Sequence, residues 1–276
     1  MRIATVVAVA LVQAVAHAPL VDAADVVPKR VPLVVPAPQT MPDGPLGDAV
    51  RQGLSIINAT KAALPENVGN GLACASCHLN GGTVAYAAPL VGVWGVYPEY
   101  FARSGRVEGF ADRVNDCFRR SMNGRPIDVD GAPMRALMAY VAWLSTGVPV
   151  GASVEGRGFR AMSAPARAPD AGRGATLYEQ RCASCHGVDG GGSPLASGGY
   201  AIPPLWGPQS FNDGAGMSHA ATAAAFIQAK MPLGRGGSLS DQDAWDIAAL
   251  VTGAPRPAFA GKAGDYRAGG RPASPR

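Results

Sequence analysis

The chain has 276 residues, a formal net charge of +4, 16% charged and 47% hydrophobic residues, with 36 Gly and 24 Pro. Charge this sparse beside plentiful apolar residues excludes a highly charged disordered chain. The mild basic excess leaves no nucleic-acid footprint, and a long apolar run occurs only at the N-terminus, which excludes a multi-span membrane protein.

In chain order, Arg2 precedes an apolar run from Ile3 to Ala16 and then small residues. The run is short for a membrane anchor and reads as a secretory signal over residues 1–23. Cleavage after Ala23 is preferred to cleavage after Ala18, which would leave Pro19 first. The mature chain then works in the periplasm, an oxidising space. Residues 24–46 are Pro-rich with little periodicity and read as an extended arm.

A first domain is expected over 47–153. Asp48 to Ala63 reads as a helix ended by Pro65. Cys74-Ala-Ser-Cys77-His78 follows, a C-x-x-C-H run of the kind that attaches c-type haem: two thiols add to the vinyl groups and the His binds iron. Pro133 to Ser145 reads as the closing helix, with Leu137, Tyr140, Val141 and Leu144 on one face. Residues 154–171 read as a linker.

A second domain is expected over 172–256. Gly172 to Arg181 is its leading helix, followed by Cys182-Ala-Ser-Cys185-His186. Ser240 with Asp243 caps a closing helix from Asp241 to Val251, whose buried face is Ala244, Ile247, Ala248 and Val251. Residues 257–276 carry Pro, Gly and Arg without apolar period and are expected to be disordered.

A single C-x-x-C-H could arise by chance or as a zinc half-site. Two copies with the same five residues in an exported chain argue against both. Tyr140 to Gly147 and Asp246 to Gly253 repeat at nearly the offset of the two motifs. The fold expected is therefore all-α: two tandem class I cytochrome c domains, each with one covalent haem. The cofactors are two haem c groups, held by Cys74, Cys77, Cys182 and Cys185, with His78 and His186 on iron.

The sixth iron ligand sets the chemistry. With His17 removed in the signal, His219 is the one His outside the two motifs, so bis-His ligation at both haems is nearly excluded. His219 reads as an exposed polar residue. For haem two, Lys230 and Met231 both stand: Met-Pro-Leu-Gly suits a Met ligand, and Lys230 is one of four Lys in the chain, although an amine must be desolvated to bind iron. For haem one, Cys117 and Met122 both stand. Spacing favours Met122. Cys117, however, is the fifth cysteine, set among Arg103, Arg106, Arg113, Arg119 and Arg120, a cationic setting that favours thiolate and small anions.

These motifs together resemble the dihaem c-type, tetrathionate-forming thiosulfate dehydrogenase family. The likeness is carried by Asn70-Gly-Leu-Ala-Cys-Ala-Ser-Cys-His-Leu, by Asp112-Arg-Val-Asn-Asp-Cys117-Phe-Arg-Arg-Ser121-Met-Asn-Gly, by Val154-Glu-Gly-Arg-Gly-Phe, and by Pro203-Pro-Leu-Trp-Gly-Pro-Gln-Ser-Phe-Asn-Asp-Gly-Ala-Gly-Met. It implies oxidation of two thiosulfates to tetrathionate, reversible in some members. It implies His78/Cys117 ligation of the catalytic haem, a Lys230/Met231 exchange opposite His186, and a substrate pocket with Arg103, Arg113 and Ser121. The implied partner is an external carrier such as a small cytochrome c or a high-potential iron-sulfur protein, with no nucleic acid and no membrane span. The alternative is a non-catalytic dihaem electron-transfer subunit, which leaves Cys117 and its arginines without a role.

Overall fold

A computed structural model describes residues 30–196, 198–267 and 269–270. The expected signal lies outside the described residues. The helices are α1 (Gly44–Asn58), α2 (Thr60–Ala63), α3 (Leu79–Gly82), α4 (Phe110–Arg120), α5 (Ala132–Leu144), α6 (Ala171–Arg181), α7 (Ala183–His186), α8 (Ala220–Lys230) and α9 (Asp241–Gly253). Short strands β1 (Arg30–Val31), β2 (Glu99–Phe101), β3 (Arg106–Glu108), β4 (Ser153–Val154), β5 (Ser193–Pro194) and β6 (Tyr200–Ile202) form two-stranded pairs only: β1 with β4, β2 with β3, β5 with β6. The architecture is two cytochrome c units in tandem, helix-rich as expected. Among the described residues, no helix is long and apolar enough to cross a membrane.

Each unit is framed by a leading and a closing helix, α1 across α5 and α6 across α9. Helix α1 buries Val50, Ile56 and Ile57, and α5 buries Met134, Leu137, Tyr140, Val141 and Leu144. A glycine sits at each crossing. A Cβ on Gly53 would lie 2.1 Å from the Ala136 carbonyl oxygen, and one on Gly174 would lie 2.1 Å from that of Asp246. Only the missing side chain lets the backbones approach this closely.

The helix expected from Asp48 begins earlier, at Gly44, because Pro45 occupies its first turn, where a missing N–H costs nothing. It also breaks at Ala59. Thr60 opens α2, and its hydroxyl donates to the Ile56 carbonyl (2.8 Å) and accepts from the Cys74 N–H (2.9 Å). The break thus ties the leading helix to the first C-x-x-C-H.

Both ends of the described chain are tied into the fold. The arm is fastened to the fold by the β1–β4 pairing and by the Glu155 N–H to Val31 carbonyl bond (2.9 Å). The described part of the tail is packed rather than disordered: Asp265 makes two bonds to the guanidinium of Arg120, at 2.6 and 2.8 Å, and the Tyr266 N–H donates to the Arg103 carbonyl at 2.8 Å. These contacts join residues far apart in sequence, so no local periodicity announces them.

Candidate active site

A cavity of about 340 Å³ opens beside the first C-x-x-C-H. Cys74, Cys77 and His78 line one part of it, and Cys117, Ser121, Met122 and Arg113 line another; Leu72, Phe118, Leu137 and Val141 supply apolar wall. Both residues left open for the first iron, Cys117 and Met122, therefore face this space. Met122 is also part of the hydrophobic core.

The donor set fits a covalent c-type haem. The His78 Nδ1 is bonded to the Ala88 carbonyl at 2.6 Å, and the His186 Nδ1 to the Pro203 carbonyl at 2.9 Å. Each bond fixes the ring and leaves Nε2 for a metal. Burial holds both imidazoles on the neutral side of their ordinary range, as a ligand requires. None of the five cysteines is in a disulfide, and burial pushes Cys74 up to about 11 and Cys77 up to about 12. Arg256 stacks on Phe211 at 4.3 Å, while its buried Nε and Nη1 have no protein partner.

Helix α4 positions the reactive side. Its N-terminus is capped by the Asp112 carboxylate, which accepts from the Gly109 N–H at 3.0 Å. Cys117, Arg113 and Ser121 recur at a spacing of four, so they lie along one face toward the cavity. The Arg113 guanidinium is held more firmly in its charged form, chiefly by the sulfur of Cys117, against burial and with help from Asp116. Tyr97, also on the cavity wall, is pushed up to about 12 by burial and stays a neutral phenol.

The five arginines expected around Cys117 separate into distinct settings. Arg113 lines the cavity. Arg103 is not among the lining residues: its guanidinium turns to Asp116 and to the Gly214 carbonyl. Arg120 is buried between Asp116 and Asp265. Arg106 pairs with Glu108 and Asp112 near the surface, and Arg119 is exposed. Asp116, which gathers three of the five, had a sequence signal that composition obscured: it sits at i+3 from Arg113 and i−4 from Arg120.

In the second unit, Ile227 of α8 shares a cluster with Cys182, Leu205 and Trp206. Lys230 and Met231 lie three and four residues further, on the same side of the helix end. The Lys230 ammonium stands 6.0 Å from the centre of the Tyr86 ring, and burial lowers its pKa. His219 marks the N-terminal boundary of α8, at the opposite end from Lys230 and Met231.

Comparison with known proteins agrees with both units. A family model for the SoxA/TsdA cytochrome c domain matches residues 65–150, and one for cytochrome c matches residues 171–254. A thiosulfate dehydrogenase of Allochromatium vinosum is 50% identical over 242 residues, covering 86% of this chain and 89% of that protein. Another, of Psychrobacter arcticus, is 46% identical over 238 residues, covering 86% and 72%. The solved thiosulfate dehydrogenase (TsdBA) of Marichromatium purpuratum, in its as-isolated form, matches with a TM-score of 0.78 at 40% identity. That match covers 81% of this chain and 49% of the other, so the chain spans about half the length of that protein.

Proposed function

The chain belongs to the dihaem thiosulfate dehydrogenase family, and we propose that it is an exported, periplasmic enzyme that oxidises two thiosulfates to tetrathionate at the cavity bearing Cys117. It carries two covalently bound haem c groups, one in each cytochrome c unit. Cys74 and Cys77 would hold the first haem, with His78 and Cys117 as the residues that would bind its iron. Cys182 and Cys185 would hold the second, with His186 and either Lys230 or Met231 as the residues that would bind its iron. The haems supply two one-electron acceptors, which match a two-electron oxidation.

Thiosulfate is a dianion, and two must meet. Arg113, with Arg103 behind it on the same carboxylate, offsets that repulsion with charge-assisted hydrogen bonds, and the Ser121 hydroxyl adds a further donor. The Cys117 thiolate forms a sulfur–sulfur bond with the outer sulfur of the first thiosulfate, and two electrons leave the pair. The second thiosulfate attacks that outer sulfur, the Cys117–sulfur bond breaks, and the departing thiolate releases tetrathionate. Electrons pass outward to an external carrier, a small cytochrome c or a high-potential iron-sulfur protein. The same steps run backward reduce tetrathionate.

What carries the proposal is one juxtaposition: Cys117 and Arg113 line the same cavity as Cys74, Cys77 and His78. The test is tetrathionate formation from thiosulfate with ferricyanide as acceptor. Cys117→Gly should abolish turnover with both haems still attached. Undiminished activity in that variant would remove Cys117 from the mechanism.

A further inference from the structure

We infer that the C-terminal segment completes the substrate site, with Asp265 and Asp116 as the positioning residues that set Arg103 and Arg113. This rests on the proposal that those arginines receive thiosulfate.

Asp116 stands next to Cys117 and is the shared anion of three arginines. Its Oδ1 accepts from the Arg120 Nε at 2.6 Å. Its Oδ2 accepts from the Arg103 Nη2, and from the Arg113 Nη1 at 3.3 Å. A carboxylate has two oxygens, and here they are divided: one serves the buried Arg120 and the other serves the two arginines of the substrate side.

That division depends on what else Arg120 touches. Arg120 is 8% exposed, and a buried guanidinium demands an anion. Asp265 meets its two terminal nitrogens in a fork, at 2.8 and 2.6 Å. The Phe259 ring lies 4.2 Å below the same guanidinium, and the Gly214 carbonyl accepts from it at 3.1 Å. With its terminal nitrogens so engaged, Arg120 offers only Nε to Asp116. Without Asp265, the fork of Arg120 would turn to the nearest carboxylate, which is Asp116, and compete with Arg103 and Arg113 for Oδ2. The segment also bonds the Arg103 backbone directly through the Tyr266 N–H. One contact therefore runs from the C-terminal segment to Arg103 directly, and a second reaches Arg103 and Arg113 through Arg120 and Asp116.

The experiment is steady-state thiosulfate oxidation by the holoenzyme, with KM and kcat separated, for Asp265→Asn and Asp116→Asn. Each should raise KM for thiosulfate about tenfold, the scale set by one lost charge-assisted hydrogen bond, with kcat within twofold of wild type. Asp116→Glu, which keeps the charge, should recover most of the KM. Phe259→Leu removes only the ring beneath Arg120 and should raise KM by about threefold; it replaces Asp265→Asn if that variant fails to retain its haems. A KM within twofold of wild type in folded, haem-loaded Asp265→Asn or its replacement overturns the inference, whatever kcat does. Arg113→Gln separates this from failure of the underlying proposal. If Arg113→Gln raises KM while the segment variants do not, the arginine binds substrate and the segment is irrelevant to it. If Arg113→Gln leaves KM unchanged, the substrate assignment itself fails.

Discussion

Replacing Gly53 by Ala sets two local effects against each other, and the structure decides the sign. In an isolated helix the change gains about 1 kcal/mol, because alanine is the better helix former. At Gly53 the new methyl would sit 2.1 Å from the Ala136 carbonyl oxygen, 2.7 Å from the Tyr140 Cβ and 2.8 Å from the Ala136 carbonyl carbon. Ordinary contact needs about 3.5 Å, so α1 and α5 must part by more than about 1 Å at the crossing. The obstacle is helical backbone and cannot rotate away. Overpacking costs about 1–3 kcal/mol, and a backbone clash belongs at the upper end. The net loss is about 2 kcal/mol, or roughly 10 °C in the unfolding midpoint of a unit this size. The assay is thermal unfolding of the haem-loaded protein, followed by far-ultraviolet circular dichroism and haem absorbance. Gly174→Ala should behave alike, since its methyl meets the Asp246 carbonyl at the same distance. Gly253→Ala, at the open end of α9 with nothing within 4 Å, isolates the propensity effect and should be neutral or slightly stabilising. A Gly53→Ala midpoint equal to or above wild type would refute the close-crossing account.

Further tests address charge and ligation. Asp246 is 1% exposed; burial raises its pKa, but the Arg173 guanidinium, the Asp170 N–H and the Gln242 amide reverse this and hold it below the usual carboxylate range. A lowered folded-state pKa contributes stability above the unfolded value of about 4, which is lost as pH falls through the folded value. Asp246→Asn should therefore weaken the protein to denaturant at pH 7 and flatten the loss of stability below about pH 4; an unchanged acid limb refutes this. Lys230→Ala should convert the oxidised spectrum of one haem to that of a Met ligand while the reduced spectrum stays as in wild type; an unchanged oxidised spectrum removes Lys230 from iron.

What was legible in the sequence followed from short-range regularities. The two C-x-x-C-H runs mark the two cytochrome c units by spacing alone, and the apolar period of Leu137, Tyr140, Val141 and Leu144 places α5, whose buried face contains all four. Ser240 caps α9 through the Asp243 N–H, as its pattern foretold. The illegible parts are long-range. Asp265 meets Arg120 across 145 positions and Tyr266 meets Arg103 from the same segment, so a stretch without apolar period still packs through charge. The cationic cluster around Cys117 was visible as composition. The role of Asp116 as its shared anion was not, because its helical spacing to Arg113 and Arg120 does not show which guanidiniums turn inward.

The repeat also shows how one scaffold came to divide two tasks. Helices α4 and α8 stand at corresponding places, between the haem motif and the closing helix, and each is 11 residues long. Helix α4 carries Asp112, Arg113, Asp116, Arg119 and Arg120 around Cys117, whereas α8 is alanine-rich and carries only Lys230, at its last position. A charged helix beside a haem cavity attracts and orients an anion. An alanine helix packs closely and leaves a single charged group, Lys230, at its end. The leading and closing helices, with their crossing glycines, are alike in both units and set the frame. The chemical difference therefore lies in the helix between, and the C-terminal segment adds its contacts to that helix in the first unit only, through Arg120.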